Sequence, residues 1–381
     1  MPASLRDIDP RAHLRSAAPA ALGGVLLIGL LLLARDSLIA CLGGVAIAAF
    51  VLFVAGFGHE RSGRHLVVAG LFFAPMSALV VPVATFVTAT DVLFALGFTL
   101  LVPTLLGSRM QVPMTFTVGV FITLAMGTLA TLASSDLLAS FDPQMRFVAG
   151  VVVVPLAFMA WAPSLRTITH LAMAYCLGSL FSIGYGVVKN GERPGARFIG
   201  LTEHPNILGM TGLLALALVP FILSQVSKKW QWLWFLVAAA SGATVWFSGS
   251  RAALLVAAVI VVMYVAIERA QWTAGWMLAA AGVALLFSNR LAVEADSALA
   301  RILGGGSANF SDAQRSDLLE HYWELFGQRP MTGWGFEEAV LGHNVYLEIA
   351  YSMGVVGLVG FLLILLAGSL VLFTAPPPLH R

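Results

Sequence analysis

The chain has 381 residues, 59% of them hydrophobic and 10% charged, where soluble domains carry about 25% charge. That composition excludes a soluble globular protein. The net charge of +2, with no Lys/Arg block of the kind that tracks a phosphate backbone, gives no footing for nucleic-acid binding.

From the N-terminus, a basic flank of Arg6, Arg11 and Arg15 precedes an apolar stretch from Ala17 to Ala34. It is longer than a cleaved signal core and reads as an uncleaved first span. Hydropathy predicts about twelve spans in all, centred near residues 26, 47, 75, 98, 122, 155, 178, 216, 239, 259, 280 and 360. The expected fold is all-α and polytopic, one membrane domain over residues 1–381. Cys41 and Cys176 both fall inside apolar runs and read as small hydrophobes.

Polar breaks separate the spans at His59 to Arg64, Gly107 to Gln111, Ser134 to Arg146, Lys189 to Asn206 and Ser227 to Gln231. One long extramembrane segment, 288–342, lies before the last span. A cytoplasmic N-terminus puts most basic residues on inner ends, among them Arg61, Arg64, Arg109, Arg166, Lys228, Lys229, Arg269 and Arg381. Two outer loops break that bias. One holds Lys189, Arg193 and Arg197, the other Arg290, Arg301, Arg315 and Arg329.

Within the long segment, Gly304-Gly305-Gly306-Ser307 reads as a flexible start. Ser311-Asp312-Ala313-Gln314 matches a capping box opening a helix to about Phe326. Helical periodicity puts Leu318, Leu319, Tyr322 and Phe326 on one face, opposite Asp317, Glu320, His321 and Glu324. This helix is expected on the membrane surface or on the bundle. Arg329-Pro330 ends it, and Gly333-Trp334-Gly335-Phe336 reads as a turn.

Arg315 falls in the middle of the apolar stripe. A buried arginine needs an anion, unless it snorkels or pairs with a neighbouring carboxylate. His343 opens the last span, and its helical face continues through Leu347, Ala350, Gly354 and Gly357. The two glycines would let a helix or a lipid chain approach closely. With Asn344 beside it, His343 is a candidate general base or an interfacial polar residue. Arg197 precedes the eighth span, Arg251 lies between the ninth and tenth, and both share a membrane side with Arg315 and His343. Together they describe an anion site beside a possible base, though each could also anchor a lipid phosphate. No histidine pair or Asp-x-Asp in the outer loops suggests a metal, and no Gly-x-x-x-x-Gly-Lys suggests a nucleotide. Asp136 and Asp142 read as a solvated turn.

These residues resemble a known family, the bacterial O-antigen ligases and their relatives among the O-antigen polymerases. His343-Asn344, then nine residues, then Gly354-Val355-Val356-Gly357 is similar to the ligase pattern of His, then Asn, Ser or Gln, nine residues, then Gly-x-x-Gly. Arg197 to Leu201 is similar to its Arg-x-x-x-Leu pattern. Arg251 in its Ser-Arg context, Arg315 before the amphipathic helix, and Pro330 to Gly335 look like further family features. The resemblance covers about residues 190–365. It implies a GT-C-like, metal-independent, inverting glycosyltransferase of the bacterial inner membrane with both termini cytoplasmic and 288–342 periplasmic. Such an enzyme moves a glycan from undecaprenyl pyrophosphate to a sugar hydroxyl of lipid A–core, without a cofactor. His343 would be the base, Arg197, Arg251 and Arg315 would bind the pyrophosphate, and Leu201, Asn344, Gly354 and Gly357 would support them. A polymerase or protein O-oligosaccharyltransferase of the same superfamily is the alternative enzyme. A lipid or glycan transporter is the alternative from another class, although no internal repeat is visible.

Overall fold

The computed structural model describes residues 29, 38–81, 84–108, 110–190, 197–268, 301–302, 308–337 and 344–374. The expected first span (apart from Gly29), the span near 280, the glycine run 304–306 and His343 lie outside the described residues. In chain order the helices are α1 (Leu38–Phe57), α2 (His59–Phe73), α3 (Ala89–Leu106), α4 (Met114–Leu132), α5 (Leu137–Val148), α6 (Val154–Trp161), α7 (Leu165–Asn190), α8 (Pro205–Gln225), α9 (Lys228–Phe247), α10 (Arg251–Glu268), α11 (Ala308–Gln328) and α12 (Val345–Thr374). Six helical stretches among the described residues are long and apolar enough to cross a membrane: Ala89–Leu106, Met114–Leu132, Leu137–Trp161, Leu165–Lys189, Pro205–Gln225 and Val345–Leu370. The chain is a multi-pass helical membrane protein.

Several sequence expectations need correction. No helix crosses position 75. After α2 the chain turns at Pro75 and enters an antiparallel hairpin, β1 (Val80–Val81) with β2 (Ala84–Thr88), pairing Val80 with Thr88 and Val81 with Ala84. The stretch is apolar enough to read as a span, but Pro75 has no N–H to continue the helical ladder. Among the described residues the fold is therefore helical with one small hairpin. The polar stretch 134–146 is not a loop either, because Asp136 caps α5 by accepting from Leu138 N and Ala139 N. Asp142 pairs with Arg146 one turn apart within α5. A π-turn, Ala149–Val153, joins α5 to α6 just before Pro155, which has no N–H to continue the regular ladder.

Helix pairing rests on small residues, as expected where lipid offers no hydrophobic drive to associate. A Cβ placed on Gly119 of α4 would meet Gly360 O at 2.7 Å, and one on Gly360 of α12 would meet Thr123 Oγ1 at 2.7 Å. Gly63 of α2 lies equally close to Gly97 O of α3, and Gly212 of α8 to Thr244 of α9. Two hydroxyls buried by this packing bond back to their own helix, Ser241 to Val237 O and Thr244 to Ala240 O, both at 2.8 Å. Cys176 is a fully buried free thiol packed with Ala215, Val219 and Ile222.

The last helix is broken. Gly354 has φ 71° and ψ 179°, so α12 is two helical pieces meeting at a kink and not one continuous face from Leu347 to Gly357. Gly354 serves the break, while Gly357 packs toward Met126 of α4. Two carbonyls and one N–H freed by the break are taken by the turn after α11. Trp334 N donates to Tyr351 O (2.9 Å), Gly335 N donates to Ser352 O (3.0 Å), and Val355 N donates to Pro330 O (2.8 Å). Gly333, at φ 72°, lies against the same backbone. Gly354→Ala would force a Cβ onto Met331 O in a left-handed conformation that costs about 1–3 kcal/mol before the clash is counted. The variant is expected to unfold at clearly lower temperature in detergent, measured by thermal denaturation. An unchanged midpoint would mean that the kink is not required.

Candidate anion site at one end of the bundle

The sites singled out in the sequence converge at one end of α8, α9, α10 and α12. His204 caps α8, with its Nδ1 accepting from Asn206 N at 3.1 Å. The turn Ser248-Gly249-Ser250 joins α9 to α10, which begins at Arg251. Asn344 caps α12, its Oδ1 accepting from Tyr346 N (3.2 Å) and Leu347 N (3.3 Å). Asn344 thus fixes the residue that follows His343, whose own position lies outside the described residues.

A cavity of about 590 Å³ opens among these ends, lined by His204, Asn206, Arg251, Arg301, Arg315 and Glu348 over an apolar floor that includes Met210 and Val256. It brings Arg251 and Arg315 together, although 64 positions separate them in sequence (315 minus 251). Arg251 makes a two-point pair with Asp312 of α11, its Nη1 donating to Oδ2 at 2.9 Å and its Nη2 to Oδ1. Hydrogen bonding from Arg251 is the main cause holding the Asp312 carboxyl below its ordinary range, helped by the charge of Arg251. The sign follows from linkage: the tie is complete above the usual carboxylate pKa of about 4 and is lost as pH falls through the lowered value.

The helix starts at Ala308, three residues before the expected cap at Ser311, and Asp312 in its second turn ties it to Arg251. Its buried stripe runs through Arg315, Leu318, Tyr322 and Leu325, with Tyr322 3% exposed and stacked edge-on against Tyr351 of α12 at 5.1 Å. Leu319, expected on that stripe, is 47% exposed. Arg329 closes the end of α11 by lying 3.9 Å over the Trp334 ring.

Arg315 is half-buried, and its Nε is shielded from solvent without a hydrogen-bond partner among the described residues. That is the state expected of a donor awaiting an anion. Arg197 does not line the cavity. Its Nε donates to Ser248 O (2.8 Å) and its Nη2 to Asn206 Oδ1 (2.6 Å), so it ties the α9–α10 turn to the start of α8. Leu201 anchors the same loop from behind, its N donating to Ser182 Oγ of α7 at 3.0 Å.

Two charged lining residues were not singled out as site residues from sequence. Arg301, 2% exposed, donates through Nη1 to Gly249 O at 2.9 Å. Glu348 sits one turn into α12 and is the carboxylate of the cavity wall. Arg301 had a signal, a cation retained in an outer loop. Glu348 had none, since one carboxylate near a helix start is ordinary. Among the described residues, no three His, Cys, Asp or Glu side chains come together as a metal site.

The guanidinium groups of Arg251, Arg301 and Arg315 thus gather at one end of a membrane bundle, beside the capped start of a broken helix. Residues 235–362 match the family model for O-Antigen ligase, which supports placing this part of the chain with that family. The matched region carries Arg251, Arg301, Arg315 and α12 through its break. No curated protein and no solved structure matches the chain.

Proposed function

We propose that the protein is an O-antigen ligase, an inverting glycosyltransferase that moves a glycan from undecaprenyl pyrophosphate to a sugar hydroxyl of lipid A–core at the periplasmic face. The observation that carries this reading is the single cavity lined by Arg251, Arg301 and Arg315 against the first turn of α12. The acceptor oxygen forms a bond to the anomeric carbon as the bond to the pyrophosphate oxygen breaks on the opposite side, which inverts the centre. His343 accepts the hydroxyl proton, and the lipid pyrophosphate leaves with the charge that Arg251 and Arg315 stabilise. Arg197 serves the same anion through Asn206 and the Ser248 turn. Fixed guanidinium groups take the place of a metal ion, and the pyrophosphate bond supplies the driving force without a nucleotide.

Purified protein mixed with the lipid-linked glycan and lipid A–core should form the conjugate. Chain extension of the donor in the absence of lipid A–core would assign the site to a polymerase instead. Turnover should survive EDTA, and a rate lost in chelator and restored by Mg²⁺ or Mn²⁺ would sink the metal-free mechanism.

In the proposed topology both termini are cytoplasmic and the arginine end of the bundle is periplasmic. Asn309→Cys is then expected to react with an impermeant thiol reagent in intact spheroplasts, and Ser227→Cys, at the opposite end of α9, to stay unlabelled. The reverse pattern would invert the orientation.

A further inference from the structure

A second cavity, of about 750 Å³, lies between α11 and the start of α12. It is lined by Ser316, Glu320 and Trp323 on one side and by Asn344, Tyr346 and Leu347 on the other, with Leu319, Phe326, Ala350 and Leu358 completing the wall. It shares no lining residue with the arginine cavity. Consecutive residues divide between the two, Arg315 from Ser316 on α11 and Val345 from Tyr346 on α12, as the 100° step of a helix requires. The two helices therefore form a partition, with the arginine cavity on one side and this groove on the other. Asn344 lines the groove and Val345 the arginine cavity, so the two come together at the start of α12.

The groove has its own chemistry. Trp323 is 65% exposed and Tyr346 50% exposed, and each ring is backed by another, Trp323 by Phe326 at 5.7 Å and Tyr346 by Phe361 at 6.5 Å. Aromatic faces held in place on two walls suit the C–H face of a pyranose ring, which presents apolar hydrogens on one side and hydroxyls around its edge. Glu320, Ser316 and Asn344 supply a carboxylate, a hydroxyl and an amide for those hydroxyls. The volume lies within the roughly 300–1,000 Å³ of small-ligand sites. A lipid acyl chain would gain nothing from these polar groups.

We propose that this groove binds the acceptor saccharide, with Trp323 and Tyr346 as stacking platforms and Glu320 as a hydroxyl acceptor. The proposal rests on the transferase reading of the arginine cavity and adds where the second substrate sits. Donor and acceptor enter from opposite sides of the α11–α12 partition and meet at Asn344 and Val345, so the pyrophosphate arginines never compete with the acceptor for space.

The test is binding of lipid-free lipopolysaccharide core oligosaccharide to the full-length protein in detergent, followed by calorimetry and needing no turnover. Trp323→Ala and Tyr346→Ala should each weaken binding about tenfold, with Trp323→Phe restoring most of it. In the transfer assay the same variants should raise the acceptor KM while leaving kcat and donor binding unchanged. Trp323 is largely exposed, so its removal leaves the core intact, and size-exclusion profiles check this. Parent-like binding and acceptor KM in a folded Trp323→Ala/Tyr346→Ala double variant would overturn the proposal. So would protection of Trp323 from an aqueous quencher by phosphatidylethanolamine–phosphatidylglycerol vesicles but not by oligosaccharide, which would make α11 a membrane-surface helix. If the parent binds the oligosaccharide and forms no conjugate with lipid A–core, the ligase reading fails and the saccharide groove stands.

Discussion

His343→Ala is expected to lower turnover by about 10²- to 10⁴-fold, the usual contribution of a positioned general base, while donor binding survives. The residue directly precedes Asn344, whose side chain caps α12, and Val345 lines the arginine cavity two positions on. An imidazole is the side chain whose ordinary pKa lies close to neutral pH, which suits it to take a hydroxyl proton there. A helix-anchoring role would predict a different outcome. His343→Gln separates the two, because glutamine can hydrogen-bond and cannot accept the proton. Near-parental turnover by a folded His343→Gln variant, with the parental pH profile, would eliminate the base role and turn attention to Glu348, the carboxylate in the same cavity wall. Glu348→Gln is the matching control.

Arg315→Lys should cost about 10²- to 10³-fold in kcat, comparable to removing one preorganised donor from a developing anion. Its guanidinium lines the cavity with a shielded Nε that has no hydrogen-bond partner among the described residues. Lysine keeps the charge and loses the planar fork that matches two phosphate oxygens at once. Arg251→Lys should also impair turnover, and it carries a second cost, since Arg251 fixes α11 through Asp312. Asp312→Asn isolates that part by leaving Arg251 in place while weakening the tie. Parental donor affinity and kcat in folded Arg315→Lys would refute two-point phosphate recognition by that residue.

The sequence by itself determined that this is a membrane protein, because a chain with 10% charge cannot cover a soluble surface. It also singled out Arg197 and Arg315, since a cation retained in an apolar helix face or against the topological bias is costly and stands out in one dimension, and Arg251 and Asn344 through their local sequence patterns. Hydropathy could not see the break at Gly354 or the turn at Pro75. Both interrupt stretches whose composition stays apolar, and backbone geometry leaves no mark on a window average. Only the tertiary structure decided how the arginines divide their work. Arg197 and Arg301 hold the turn between α9 and α10 by its carbonyls, Arg251 is shared with Asp312, and Arg315 presents its buried Nε beside the cavity. Those roles depend on which acceptors long-range packing brings within about 3 Å of each guanidinium, and residues 64 positions apart carry no local pattern that fixes such a distance.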